Sequence, residues 1–312
     1  MHCLFVNLLD FKIQIQTSKD YMSKEIRISK GLDIRLIGTA ALSITDAIKS
    51  NFYTLRPDDF HGVTPKLAVK VGAELKAGET VFFDKSNEAI KFVTPVSGEI
   101  LEITRGEKRR ILEIKIKADK KISFKKYETP KLKIAQADEI KSLLLASGCW
   151  PFIKQRPYDV IAKPELQPKA IFISAHATAP LAVDYNFTLR GKEVELQAAV
   201  TALSKLTGGP VHVGVSKASD SPFENLQDIN IHKLSGPHPS GNVGTLINKI
   251  DPINKGETVW TIAPQDLVII GELLLTGIYN AERTIAMVGS QIEAPRYLKT
   301  RIGSEVATMI YD

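Results

Sequence analysis

Six histidines, two cysteines and a few serines are the side chains of this 312-residue chain that could hold a metal or act as nucleophiles. The histidines are His2, His61, His176, His212, His232 and His238. No two stand four residues apart, as a helical metal site requires, and no carboxylate recurs at a fixed offset, so the spacing does not support metal catalysis. Cys3 and Cys149 cannot supply the ligand set of a structural zinc or an iron–sulfur cluster, and read as free thiols of a reducing compartment. Ser174, Ser216 and Ser240 lie near histidines, but Gly-x-Ser-x-Gly is absent: in "HPSGN", His238 and Asn242 stand where a nucleophile elbow needs glycines. The densest glycine loop is "SGPHPSGNVG". There Gly236, Gly241 and Gly244 could open backbone amides to an anion or a flat ring. The loop lacks the lysine of a phosphate-binding P-loop and reads as not joining a strand directly to a helix, so a tight structural loop is the plainer interpretation.

These residues need elements to hold them. Residues 67–117 alternate runs of Val, Ile, Phe and Leu with Gly72, Gly78, Gly98 and Gly106, the chemistry of short strands and turns. The pattern V-G-x-x-apolar-x-x-G, followed by P-x-x-G, is similar to that of a biotinyl/lipoyl barrel. Lys85 in "FDKSN" would be its modified lysine. It lies ten residues before Pro95, and 86–88 do not rebuild a carrier tip, so a barrel without biotin or lipoate is expected. Residues 135–147 read as an amphipathic helix stopped by Gly148, and Pro151 and Pro157 make the next segment an irregular packed loop. "KAIFISAHA" is a buried strand, "GKEVELQAAVTALSKLTGG" a helix and "PVHVGVS" a strand, a β-α-β order that predicts an α/β domain with a parallel sheet and a right-handed crossover. "HKLSGPHPSGNVGTLINKIDPI" reads as loop, and residues 258–292 as strand, helix and strand. The expected organisation is an extension without fixed order over 1–21, a barrel-sandwich domain over 22–130, an α/β domain over 131–292, and the start of a further, truncated domain over 293–312.

Composition narrows the partners. With 44% apolar residues and 24% charged, the chain is globular, and its length suits about two domains. Lys and Arg exceed Asp and Glu by 41 to 35, but residues 105–133 alone hold twelve bases against four acids, +8, leaving −2 elsewhere. Such a surface could meet anionic headgroups or an acidic partner, although the alternation in "ILEIKIKADKKISF" equally fits a solvated strand face. Arg109 and Arg110 are the candidates for docking. No aromatic residues interleave with the charges, so nucleic acid is not expected. The apolar stretch 267–275 falls short of the ~20 residues of a membrane span, and 4–9 lacks the preceding basic residues of a signal peptide.

The barrel, "ASGCWPFIKQRPYDV", "SGPHPSGNVG" and "LLTGIYNAERTIAMVGS", in that order, give a chain that resembles the A subunit of the sodium-translocating NADH:quinone reductases. That family is related to the C subunit of the Rnf complex and to the flavin-carrying subunit of respiratory complex I. "SKGLDI" and "RPDDFHGVTPKLAVKVG" fit as well, and the resemblance covers 22–312. It implies a small biotinyl/lipoyl-like barrel beside a Rossmann-like parallel-sheet domain. It also implies a longer protein with a further domain and a helical C-terminal region. The implied role is that of a peripheral subunit on the cytoplasmic face of the bacterial inner membrane, inactive alone, contributing quinone binding and assembly. Its partners would be the membrane subunits, chiefly the quinone- and flavin-bearing B subunit, and the membrane surface itself. A purely structural scaffold in the same complex is the alternative. A quinone site needs an apolar cleft with one or two hydrogen-bond donors, for which His238, Arg156, Tyr158 and Trp150 are the candidates, beside Gly241 and Gly244. Flavin-binding relatives carry a glycine-rich loop where this chain has "GCWPFIKQRP", so neither flavin nor NADH oxidation is expected here. Two cysteines likewise exclude the iron–sulfur clusters of the Rnf relative.

Overall fold

A computed structural model describes residues 24–310; the expectation for 1–21 lies outside them. The described residues open with two strands that pair with distant partners, β1 (Glu25–Arg27) and β2 (Ala41–Asp46), before the glycine-punctuated region folds on itself. There β3 (Phe52–Leu55), β4 (Pro65–Leu67), β5 (Glu74–Leu75), β6 (Thr80–Asp84), β7 (Asn87–Val93), β8 (Gly98–Arg105) and β9 (Ile111–Ala118) form two antiparallel sheets, in the orders β3-β9-β8-β5 and β4-β6-β7. The alternation in β9 is that of a half-buried strand: Ile114 and Ile116 are buried and Lys117 is exposed. Phe82 and Phe92 stack at 4.4 Å in the barrel core. Asp84 pairs with Asn87, so Lys85 and Ser86 make a two-residue hairpin tip, tighter than the sequence reading allowed. The Asp84 carboxylate fixes that tip by accepting from the Thr64 and Ser86 amides and the Ser86 hydroxyl.

Helix α1 (Ala137–Ala146) starts where the Gln136 amide donates to Glu139 Oε2 at 2.8 Å and ends before Gly148, whose φ is 74°. The following segment is more ordered than the irregular loop expected from its prolines. A helical turn at Trp150–Phe152 leads into β10 (Lys154–Arg156) and β11 (Val160–Ile161), a hairpin that holds Pro157 in its turn.

The α/β domain follows. After β12 (Ile171–Ser174) come α2 (Tyr185–Thr188), α3 (Glu193–Ser204), β13 (Val211–Ser216), β14 (Asn230–Ser235), α4 (Val243–Ile250), β15 (Val259–Thr261) and α5 (Pro264–Thr276). The sheet order is β1-β14-β13-β12-β15-β10-β11; β1 to β15 run parallel, and the β10–β11 hairpin closes one edge antiparallel. Strands β12 and β13 are buried on both faces, which is why they read as unbroken apolar runs. The stretch read as loop before residue 252 contains both the end of β14 and α4. In α4, Val243, Leu246, Ile247 and Ile250 recur at the helical period and pack with Phe172 and Leu234. On the opposite face α3 lies against α5, close enough that a Cβ on Gly271 would stand 1.9 Å from the Glu195 carbonyl oxygen. Because the chain steps from β12 to β13 and β14 on one side and returns through α4 to β15 on the other, the strand order reverses between β12 and β15. In open α/β sheets, ligands bind in the crevice outside the carboxyl ends of the strands at such a point.

The strand read in "RTIAMVG", β16 (Glu282–Met287), does not join that sheet. It pairs antiparallel with β17 (Arg296–Arg301), which pairs parallel with β2, and α6 (Ala307–Ile310) follows. A single apolar cluster runs from the barrel through α1 into α3 and α5. No helix among the described residues is long and apolar enough to cross a membrane.

Candidate functional site

Three backbone segments meet outside the carboxyl ends of β12 and β14. β12 leads into His176–Thr178, β14 leads into 236–242, and 28–33 runs along 235–238. The glycine loop therefore does join a strand directly to a helix, contrary to the sequence reading, because β14 and α4 flank it. Its geometry is closed by internal hydrogen bonds. The Gly241 amide donates to Thr178 Oγ1 at 3.0 Å, and Ser174 Oγ donates to the Gly241 carbonyl at 2.7 Å. The His238 amide donates to Asp33 Oδ1 at 2.8 Å, and the His238 carbonyl accepts from the Leu32 amide at 3.0 Å. A Cβ on Gly241 would lie 2.1 Å from the His176 carbonyl oxygen, so glycine is needed there for backbone packing. Gly244, in the first turn of α4, has open space beside it. The His238 ring is half-buried, with Nδ1 at 3.2 Å from Thr178 Oγ1 and no partner on Nε2 among the described residues. Burial holds His176, at the exit of β12, below the usual imidazole pKa.

The other sequence candidates lie at the opposite edge. Trp150 is fully buried, donates from Nε1 to the Ala162 carbonyl at 2.7 Å, and meets Trp260 edge-on with ring centroids 5.5 Å apart. Cys149 beside it is a buried free thiol, its pKa pushed up to about 12 by burial. Arg156 Nε pairs with Asp159 Oδ1 at 3.2 Å, and Tyr158 is 83% exposed on the hairpin turn with a φ of 82°. Arg156 is in register with Val259, at the amino end of the parallel strands, whereas His238 follows the carboxyl end of β14, four strands away. Strand spacing and rise put the two groups on the order of 30 Å apart. Trp150, Arg156 and Tyr158 thus belong to one edge, and His238, Gly241 and Gly244 to the other; the six do not line one cleft.

The basic segment is likewise divided. Arg110 Nη2 pairs with Asp58 Oδ1 at 2.6 Å, while Arg109 is exposed at the hairpin end with a φ of 61°. Lys120 and Lys121, at the other end of β9, line a cleft of about 650 Å³ with residues of 46–53 and 282–304. No sequence signal marked that cleft, since its walls come from three distant stretches of chain.

Two histidines outside these sites form a buried relay. The Lys24 amide donates to His232 Nδ1 at 3.1 Å, so that nitrogen is the acceptor and Nε2 carries the proton, which it donates to His212 Nδ1 at 2.9 Å. Burial, aided by the neighbouring His232 in the case of His212 and by Lys24 for both, pulls each pKa down to about 4. No group of three or more metal-ligating side chains is assembled among the described residues.

Comparison with known proteins adds a second line. A family model described as the NqrA N-terminal barrel-sandwich hybrid domain matches residues 26–119, and one described as the NqrA second alpha/beta domain matches 135–279. Similar curated proteins include the A subunit of the Na(+)-translocating NADH-quinone reductase of Neisseria meningitidis serogroup B, 36% identical over 284 residues, which are 90% of this chain and 64% of that protein. The corresponding A subunit of Haemophilus influenzae (strain ATCC 51907) is 34% identical over 287 residues, 91% of this chain and 64% of its own length. The chain thus spans just under two thirds of the relatives it matches. With two successive domains of one family matched in order, over the barrel and the parallel-sheet domain just described, the chain belongs to the NqrA family.

Proposed function

We propose that this chain is a peripheral subunit of a sodium-translocating NADH:quinone reductase, contributing quinone binding and assembly at the cytoplasmic face of the bacterial inner membrane. The observation that carries the reading is the ordered match of both NqrA domains, together with relatives named as the A subunit of that reductase. Its partners in this reading are the membrane subunits, chiefly the B subunit, reached through the exposed Arg109 and its neighbour Arg110. Flavin and NADH oxidation fall to other subunits: the space before the α/β domain is filled here by Trp150 and Pro151, both buried.

The quinone head fits the His238 edge better than the Arg156 edge. Thr178 Oγ1 accepts from the Gly241 amide and can turn its own proton to His238 Nδ1, leaving Nε2–H to donate to a quinone carbonyl. Gly244 leaves open space for a ring beside α4. Arg156, held by Asp159, and Tyr158, alone on its turn, offer donors without an enclosing wall.

Titrating the purified chain with a soluble short-tail quinone, followed by Trp150 and Trp260 fluorescence and by calorimetry for stoichiometry, tests this. Saturable one-to-one binding that weakens about tenfold or more in His238→Ala, the loss of one buried donor, is the expected result. Absence of binding would favour the second reading, a scaffold subunit with the quinone held elsewhere. One observation already favours that reading: the His238 and Gly241 amides are satisfied within the chain.

A further inference from the structure

The cleft of about 650 Å³ between the barrel and the β16-β17-β2 sheet has two kinds of wall. Lys49, Lys120, Lys121 and Arg301 face it with Asp46 and Asp119, while Lys299 is matched by Glu282 at 3.3 Å. Lys49, Lys120 and Lys121 are exposed and make no ion pair among the described residues. Arg301 is half-buried and lies over the Phe124 ring at 5.8 Å. Its Nη1 donates to the Pro95 carbonyl at 3.1 Å, and no carboxylate pairs with it among the described residues. A guanidinium has five N–H donors, so most of its capacity remains open. Ile48, Ile122 and Phe124 supply the apolar wall.

The approach to this cleft is apolar as well. Leu42, Ile44 and Ile48, from one short stretch of chain, are each between 45% and 68% exposed. β2 is an edge strand exposed along its whole length; after its irregular pairing at Leu42, the period of two puts Ile44 and Asp46 on one face. That face runs about 7 Å from Ile44 to Asp46, a lining residue of the cleft. Exposed apolar side chains grouped beside a cleft mark an interaction surface. Cations beside exposed apolar side chains are the combination that binds the headgroup and acyl boundary of an anionic bilayer. A nucleic acid would use the cations but leave the apolar face in water.

We propose that this cleft binds the phosphate headgroup of an anionic phospholipid, with Leu42, Ile44 and Ile48 set against the acyl-chain boundary of the membrane. The proposal rests on the reading of the chain as a peripheral membrane subunit, but on different residues: Arg109 and Arg110 lie at the far end of β9, an eight-residue strand about 27 Å long.

Co-sedimentation of the purified chain with vesicles of phosphatidylcholine alone, or mixed with phosphatidylglycerol, tests it. Binding to the mixed vesicles only, weakened about tenfold or more by the double change Lys120→Glu and Lys121→Glu, is expected. Leu42→Ser with Ile44→Ser should weaken it too. Equal binding to both vesicles, or full binding by the lysine double variant, would overturn the proposal. So would binding of glycerol phosphate in solution without binding to vesicles, which would make the source a soluble phosphoester. If vesicles fail while the quinone titration and complex assembly succeed, only the lipid site falls; if all three fail, the functional reading falls with it.

Discussion

Gly241, in the loop, and Gly244, three residues on in the first turn of α4, are expected to answer alanine in opposite directions. At Gly241 the added methyl would meet the His176 carbonyl at 2.1 Å, a backbone atom that cannot swing away. Gly241→Ala should cost about 1–3 kcal/mol, read as a lower urea midpoint at unchanged slope. At Gly244 nothing lies within 4 Å, and alanine in the first turn of α4 should be neutral or gain up to about 1 kcal/mol. If His238 holds the quinone head, Gly241→Ala should also weaken quinone binding, because it displaces the amide that orients Thr178. The loop was legible in the sequence as a tight structural turn because its glycines and prolines are local. The Asp33 carboxylate under the His238 amide was not, because 205 residues separate them and nothing in either neighbourhood announces the pairing.

At the scale of elements, β13 and β14 carry a buried pair of neutral imidazoles whose proton affinity sets an acid limit. Both folded pKa values lie at about 4, below the usual 6.5, so the unfolded chain binds protons that the folded chain refuses. Their contribution is complete above pH 6.5, is lost as the pH falls towards 4, and changes no further below it. Urea midpoints measured across that range should fall with pH, and His232→Leu should flatten part of the slope while releasing the Lys24 amide at the start of β1. If the barrel hairpin docks the proposed membrane partner, reversing Arg109 and Arg110 should lower the yield of assembled complex on co-purification; unchanged assembly would remove that hairpin from the interface. α3 was readable from its apolar positions and the glycines that stop it. α4 has the same periodicity, but it is eight residues long and begins inside a run of glycine, proline and histidine whose composition outweighed the pattern. The β10–β11 hairpin escaped notice because its prolines signal loop, yet an edge position tolerates a proline in the turn.

For the whole molecule, the two-unit organisation of barrel and parallel sheet follows from the switch between glycine-spaced strands and the β-α-β order, both of them local signals. The β16-β17-β2 sheet does not, since β2 and β17 lie at opposite ends of the described chain and their parallel pairing leaves no trace in either segment. The two main units are also sewn together. Tyr127 donates from its hydroxyl to the Gly78 carbonyl at 2.6 Å, its hydroxyl lies 3.2 Å from the Ala146 carbonyl, and its amide donates to the Gly277 carbonyl at 2.8 Å. Tyr127→Phe should therefore lower stability by about 1 kcal/mol. With one apolar cluster running through both units, heat should melt them together: a single endotherm whose calorimetric and van't Hoff enthalpies agree. One melting temperature then serves as a common gauge, raised by a quinone at the β14–α4 loop or by a phosphoester at the distant cleft, each by an amount set by its own affinity.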